Sequence, residues 1–184
     1  MAEDFKYLVQ ECISGKRQAQ EQLYRLFSAR MFGICLRYCK DYDEAKDVLQ
    51  EGFVKVYSKL NQFTFSGSFE GWVRRIIVNT AIEKLRVQSR SVSLENVPET
   101  ADEMEEEELP AISQQELLEM VQSLPAQYKL VFNLYVFEDL GHKEIAAMLG
   151  ITEGGSKSNL SRARAILQQK VKSKIGNKVR IFGT

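Results

Sequence analysis

The stretch from His142 to Leu167 reads HKEIAAMLGITEGGSKSNLSRARAIL. Ile145, Ala146 and Leu149 fall on one face of a short helix. Gly150 suits the left-handed position that ends such a helix, and Ile151 is placed to plug the space before the next one. Thr152 is a good N-cap. Leu160, Ala163 and Leu167 then face inward, which leaves Lys157, Ser158, Ser161, Arg162 and Arg164 outward. The pattern is a helix-turn-helix whose second helix fits a DNA major groove. Cationic side chains suit phosphates, and Arg and Lys also donate to guanine edges. A short helical hairpin with a solvated basic face is the plainer alternative. The glycine, the cap, the spacing and the one-sided charge together disfavour it. Gly154 and Gly155 are poor helix formers. They either let the backbone approach DNA phosphates at the helix N-terminus or let that end fray.

Working outward, the expected fold class is all-α, with two small helical domains. Toward the N-terminus of the motif, Gln114 to Ser123 is helical, and Pro125 suits the first turn of a helix running to about Phe137. Two further short helices complete the C-terminal domain, 113–184. Residues 91–112 (SVSLENVPETADEMEEEELPAI) break the periodicity with two prolines and an acidic run. Such a composition predicts a linker that is largely disordered in the free protein. In the N-terminal domain, 1–90, Phe5 to Ile13 and Ala19 to Cys39 read as helices separated by Ser14-Gly15. In the second of these, Leu23, Leu26, Phe27, Ile34 and Tyr38 mark a buried stripe. Asp41 to Leu60 has the cleanest amphipathic pattern. Ala45, Val48, Leu49, Gly52, Phe53, Val56 and Leu60 line one face, with Asp47, Gln50, Glu51 and Lys55 on the other. After a loop with Thr64, Ser66, Gly67 and Ser68, Phe69 to Gln88 is helical, with Trp72, Val73, Ile76, Ile77, Ala81 and Leu85 inward.

The net charge of zero hides a segregation. Residues 1–90 carry 15 basic and 11 acidic side chains, residues 91–116 none and 9, and residues 117–184 10 and 5. From Gly154 onward there are eight basic residues and no acid. Two basic blocks joined by an acidic strap suggest two nucleic-acid-facing modules. No run approaches the roughly 18 apolar residues of a membrane span, and the N-terminus has no cleavable-signal pattern. No membrane insertion and a cytoplasmic location are expected. Three cysteines, Cys12, Cys35 and Cys39, are an odd number without a signal segment, which speaks against a disulfide framework. Cys35 and Cys39 share a helical face, but no CxxC pair exists and the single histidine, His142, lies in the other domain. Burial as free thiols is favoured over zinc. No metal and no cofactor are expected, and no catalytic constellation is assembled.

The segment SLPAQYKLVFNLYVFEDLGHKEIAAMLGITEGGSKSNLSRARAIL, 123–167, resembles the promoter −35-reading domain of extracytoplasmic-function sigma factors, in the sigma-70 superfamily. The family's turn and recognition helix read approximately Gly-Ile-Ser-x-Gly-Thr-Val-Lys-Ser-Arg-Leu-x-Arg-Ala-Arg. Gly150, Ile151, Gly154, Lys157, Ser158, Leu160, Arg162, Ala163 and Arg164 match it, whereas Gly155, Ser156 and Asn159 depart from it. DVLQEGFVKVYSKL, 47–60, resembles the helix that docks on the clamp helices of the polymerase β′ subunit. FEGWVRRIIVNTAIEKLR, 69–86, resembles the segment that opens and reads the −10 element. The likeness covers about residues 10–175, in the family's order and spacing.

The resemblance implies a non-catalytic subunit of RNA polymerase that directs promoter-specific initiation. Its partners would be core polymerase (the β′ clamp helices and the β subunit), promoter DNA and an anti-sigma factor. Asp47, Gln50, Glu51 and Lys55 would bind polymerase. Trp72, Arg74, Arg75, Asn79, Lys84 and Arg86 would serve the −10 element, with Trp72 structural and Asn79 at a base-capturing loop just after the helix bearing Trp72, Arg74 and Arg75. Lys157, Ser158, Asn159, Ser161, Arg162 and Arg164 would serve the −35 element. The linker would thread the polymerase cleft, with Glu105 to Glu108 in a channel built for nucleic acid. The residues themselves are compatible. Arg74, Arg75, Lys84, Arg86 and Arg90 suit the backbone of melted DNA, and Asn79 can hydrogen-bond a base edge. A solvated acidic face at Asp47 to Glu51 and a satisfied polar Asn79 are the plainer alternatives. The competing function is a stand-alone helix-turn-helix regulator whose N-terminal half senses a ligand or dimerises. Asp47 to Leu60 discriminates, because a sensor needs a pocket and a sigma factor needs an exposed docking face.

Overall fold

A computed structural model describes residues 2–89 and 112–182 of the 184-residue chain. The acidic linker expected at 91–112 falls almost wholly outside the described residues. Every regular element among them is helical, and the chain divides into two compact units, Met1–Val87 and Gln88–Thr184.

The N-terminal unit holds α1 (Ala2–Ile13), α2 (Arg17–Tyr38), α3 (Tyr42–Lys59), a 3-10 turn (Leu60–Gln62) and α4 (Phe69–Ser89). The chain turns after α1 at Gly15, whose φ of +81° is open to glycine at no steric cost. α3 starts on a reciprocal cap. The Asp41 carboxylate accepts the Glu44 N–H at 2.8 Å, and the Glu44 carboxylate accepts the Lys40 N–H at 2.8 Å. That use of its carboxylate explains why Glu44, a charged residue, is buried. All seven residues of the expected α3 stripe are buried. Gly52 sits where α3 meets α4, and a Cβ there would overlap Ile77 Cδ1. The Tyr57 hydroxyl donates to the Gln20 carbonyl at 2.8 Å, tying α3 to α2, and burial pushes this phenol up to about 12.

One expectation for α2 fails. Leu26 is 52% exposed, while Leu23, Met31, Ile34, Cys35 and Tyr38 are buried. The inward line runs at spacings of four through Leu23, Phe27 and Met31, and Leu26 lies a full 100° helical step off Phe27. The three cysteines are buried free thiols. Burial pushes the Cys35 thiol up to about 12, which suppresses thiolate chemistry there.

The C-terminal unit holds α5 (Gln114–Gln122), α6 (Ala126–Val136), α7 (His142–Leu149) and α8 (Glu153–Phe182). A capping box opens α5, with Ser113 Oγ accepting the Glu116 N–H at 3.2 Å and the Glu116 carboxylate accepting the Ser113 N–H at 2.9 Å. Pro125 stands just before α6, where a missing N–H costs nothing. Leu124, Tyr128, Leu130, Val131, Leu134, Ile145, Leu149, Leu160 and Ala163 form the buried interior. α8 differs from the short helix expected, since it runs 30 residues. Past Leu167 the sequence QQKVKSKI holds no breaker and several strong helix formers, so nothing stops the helix there.

Candidate nucleic-acid interface

The helix-turn-helix forms by the local signals in its sequence. Gly150 closes α7 with φ 69° and ψ 37°, the left-handed conformation that costs a side-chain-bearing residue about 1 kcal/mol or more. The Ile151 N–H then donates to the Ala146 carbonyl at 3.1 Å. Thr152 caps α8, its Oγ1 accepting the Gly155 N–H at 2.9 Å, and the Ser156 N–H reaches the Thr152 carbonyl at 2.9 Å. The first turn of α8 is therefore closed, and Gly154 and Gly155 lie within it without interrupting it.

Of the six residues expected to face the −35 element, Lys157, Ser161 and Arg164 are exposed, and Ser158, Asn159 and Arg162 are half-buried. Lys157 pairs with Glu153 one turn back at 2.8 Å, and this contact holds the Glu153 carboxyl below its ordinary value. Ser156 is fully buried, and its Oγ lies 2.9 Å from His142 Nδ1. The His142 ring stacks on Tyr135 at 4.9 Å and 22°, and the Arg164 guanidinium lies 5.6 Å over the same Tyr135 ring. Sequence reasoning missed this set, because it joins three helices and no local period reports it.

In the N-terminal unit, Asp47, Gln50 and Glu51 are exposed along α3. Two of the three already have internal partners. Lys55 lies 2.8 Å from Glu51 and 2.7 Å from Glu83 of α4, and Lys84 of α4 lies 3.5 Å from Asp47. Burial alone would lower the Lys55 ammonium, and the two carboxylates outweigh it and raise it. Lys55 is thus a brace between α3 and α4 as much as a docking residue.

On α4, Trp72 is half-buried and packs against Phe63 and Phe69, with ring centroids 5.5 and 5.7 Å away. Arg74 is half-buried, while Arg75, Asn79 and Arg86 are exposed. Asn79 lies inside α4, not in a loop after it. The backbone there is plain helix, since the Thr80 hydroxyl donates to the Ile76 carbonyl four residues back at 2.9 Å. Arg75, Asn79 and Arg86, at spacings of four and seven, share one face of α4. That places an amide, which can both donate and accept, between two cations on a solvent-facing stripe, a composition that suits a single strand.

A capped helix-turn-helix in one unit and a basic helical stripe beside an acidic helix face in the other are the surfaces of a two-module DNA-binding protein. Residues 23–91 match the family model for sigma-70 region 2, and residues 114–167 match that for sigma-70, region 4. The RNA polymerase sigma-H factor of Pseudomonas aeruginosa is 26% identical, over 91% of this chain and 93% of its own. The ECF RNA polymerase sigma-E factor of Escherichia coli is 29% identical, over 89% and 92%. Among solved structures, the sigma factor RpoE of Bartonella quintana, in complex with the anti-sigma factor NepR, shares the fold with a TM-score of 0.53 at 22% identity, over 83% of this chain and 96% of that one. The chain belongs to the sigma-70 family of RNA polymerase sigma factors, in its extracytoplasmic-function branch.

Proposed function

We propose that this chain is a dissociable RNA polymerase subunit that directs promoter-specific initiation, docking through α3, reading the −35 element with α8 and opening the −10 element with α4. The observation that carries this is the presence of both sigma regions in family order, each with its polar face exposed: Asp47, Gln50 and Glu51 on α3, Arg75 and Asn79 on α4, and Lys157, Ser161 and Arg164 on α8. α3 projects its acids beside an open groove of about 380 Å³ shared with α2, lined by Tyr24, Phe32, Tyr42, Leu49 and Gln50 together with Lys46, whose ammonium lies over the Tyr42 ring. An acidic edge next to an aromatic groove suits a helical partner with basic and apolar residues, which is the surface we assign to core polymerase. We assign it to the β′ clamp helices, with the β subunit as the further partner within core polymerase.

No catalytic step is assigned to the chain, and its work is binding. No described helix is long and apolar enough to cross a membrane, and a cytoplasmic site of action follows from the polymerase partner. An anti-sigma factor is the expected regulator, by analogy with the Bartonella quintana relative, which was solved with one. Such a partner would act by covering α3 and α8. The test is reconstitution. The purified chain should co-elute with core polymerase and confer transcription on a subset of promoters from its own genome. Co-elution without promoter-dependent transcripts, or transcripts independent of the chain, would refute the assignment.

A further inference from the structure

Tyr135 lies in the last turn of α6, a 36% exposed residue, at the place where three elements of the C-terminal unit meet. His142, the first residue of α7, stacks on that ring at 4.9 Å and sets its Nδ1 2.9 Å from the Oγ of Ser156. Ser156 is fully buried in the first turn of α8, so its hydroxyl cannot turn to solvent for a partner. The imidazole is thus fixed at one edge by α8 and on one face by α6. Two turns along α8, the exposed Arg164 returns to the same Tyr135 ring at 5.6 Å.

A guanidinium resting on an aromatic face spends its π surface there and keeps its in-plane N–H edge for an acceptor. Arginine also carries a large rotamer entropy, much of which a free side chain would lose on meeting DNA. An arginine already held over a ring loses less. The Ser156 hydroxyl is the brace, 2.9 Å from His142 Nδ1, and the valine that the family pattern quoted above has at this position could not bond an imidazole. The pairing of Ser156 with His142 belongs to this chain's own sequence.

We propose that Tyr135 is a positioning residue for −35 recognition: braced by the His142–Ser156 contact, it holds the Arg164 guanidinium in the orientation that meets DNA. The proposal rests on the assignment of Arg164 to the DNA-facing side of α8. It makes Tyr135 matter only through Arg164, which separates positioning from ordinary packing.

The experiment is a double-mutant cycle on the full chain assembled with core polymerase, read as binding to a promoter whose −10 region is held constant. Tyr135→Leu should weaken −35 binding about threefold to tenfold, the range of an aromatic-cation contact, and Tyr135→Phe should restore it, since the ring and not the hydroxyl is used. Arg164→Ala should weaken binding at least as much and reduce the dependence of log affinity on log salt by about one unit if it meets a phosphate. In the Arg164→Ala background, Tyr135→Leu should have no further effect. Ser156→Ala, which removes the brace but leaves the ring, should give part of the Tyr135→Leu loss. Full additivity of Tyr135→Leu and Arg164→Ala, with matching losses of thermal stability, would make Tyr135 a packing residue and overturn the proposal. If Arg164→Ala leaves binding and its salt dependence unchanged, the DNA assignment of Arg164 fails first and the proposal falls with it.

Discussion

Lys84 on α4 places its ammonium 3.5 Å from the Asp47 carboxylate on α3, so a residue assigned to DNA and a residue assigned to polymerase face one another in the same unit. Beside them, Glu51, Lys55 and Glu83 form a second bridge between the helices. Asp47 is 69% exposed and Lys84 32%, so solvent screens the pair and its contribution to stability is about 0–1 kcal/mol. The Asp47 carboxylate is therefore available to a partner at small cost, and so is the half-exposed Glu51 in its pair with Lys55.

The first prediction follows from that cost. Glu51→Lys reverses one exposed charge on the α3 face and sets it one turn from Lys55. Folding stability should fall by about 0.5–1 kcal/mol, because the Glu51–Lys55 pair is lost and a like-charged i,i+4 pair takes its place. Affinity for core polymerase should fall about tenfold, the loss of one charge-assisted contact at an interface. A titration of labelled chain against core polymerase measures it, alongside a thermal melt of the free chain. Unchanged affinity would remove Glu51 from the docking surface.

A second prediction concerns the crossing of α3 and α4. The Cβ of Gly52→Ala would overlap the terminal methyl of Ile77, a fully buried side chain. Overpacking of this kind costs about 1–3 kcal/mol, and the better helix propensity of alanine returns about 1 kcal/mol of it. A net destabilisation of about 1 kcal/mol is expected. Ile77→Val removes the offending Cδ1, so in that background Gly52→Ala should turn neutral or stabilising. Denaturant melts of the four proteins decide it, and a destabilisation that persists in the Ile77→Val background would place the clash elsewhere.

Much of this architecture is legible in the sequence because its signals are local. Period and caps place α3 and its buried stripe, and Gly150 and Thr152 place the turn of the helix-turn-helix at the positions they occupy. The departures come from effects that a periodicity does not carry. Leu26 fits a spacing of three from Leu23 yet lies outside, because a stripe has edges and apolar residues at an edge are commonly exposed. Glu44 is buried by its cap hydrogen bond, a signal present in Asp41-x-x-Glu44. The bridges from Lys55 to Glu83 and from Lys84 to Asp47, and the set of Tyr135, His142, Ser156 and Arg164, join residues distant along the chain. Only packing brings them together. Asn79 lies inside α4, where the helical period over Phe69 to Gln88 puts it, and only the family resemblance suggested a loop there.

The third prediction separates two roles for Arg162, half-buried on α8 on the side we assign to DNA. If its guanidinium reads a base, Arg162→Ala should cost about 1–3 kcal/mol and relax preference at one position of the −35 element. If it contacts a phosphate, the loss should be uniform across sequences with a shallower salt dependence. Transcription of a randomised −35 library by the variant holoenzyme distinguishes them. An unaltered profile at normal activity would mean that Arg162 does neither.

The fourth prediction bears on whether α4 opens DNA or only binds it. A repressor or activator reads closed duplex, whereas a sigma factor must also hold an extruded base, and extrusion costs a few kcal/mol of stacking and pairing. Contacts made only after opening must offset that cost. Asn79 offers both a donor and an acceptor, it is exposed at mid-helix, and it lies on one face with Arg75 and Arg86, which suit the strand backbone. Asn79→Ala removes the base contact and leaves those cations and the α3 face in place. Because Asn79 is exposed and alanine is the better helix former, the fold should be unharmed. Core-polymerase binding should therefore stay near normal, while open-complex formation on duplex promoters falls about tenfold or more, in line with a lost base contact of about 1–3 kcal/mol. On templates already mismatched across the −10 region the defect should shrink, since there the opening cost has been removed in advance. Permanganate reactivity of the melted thymines reports both cases. If Asn79→Ala opens duplex promoters as readily as the parent, with the same −10 preference, the residue holds no base, and the opening function must be sought elsewhere along the exposed face of α4.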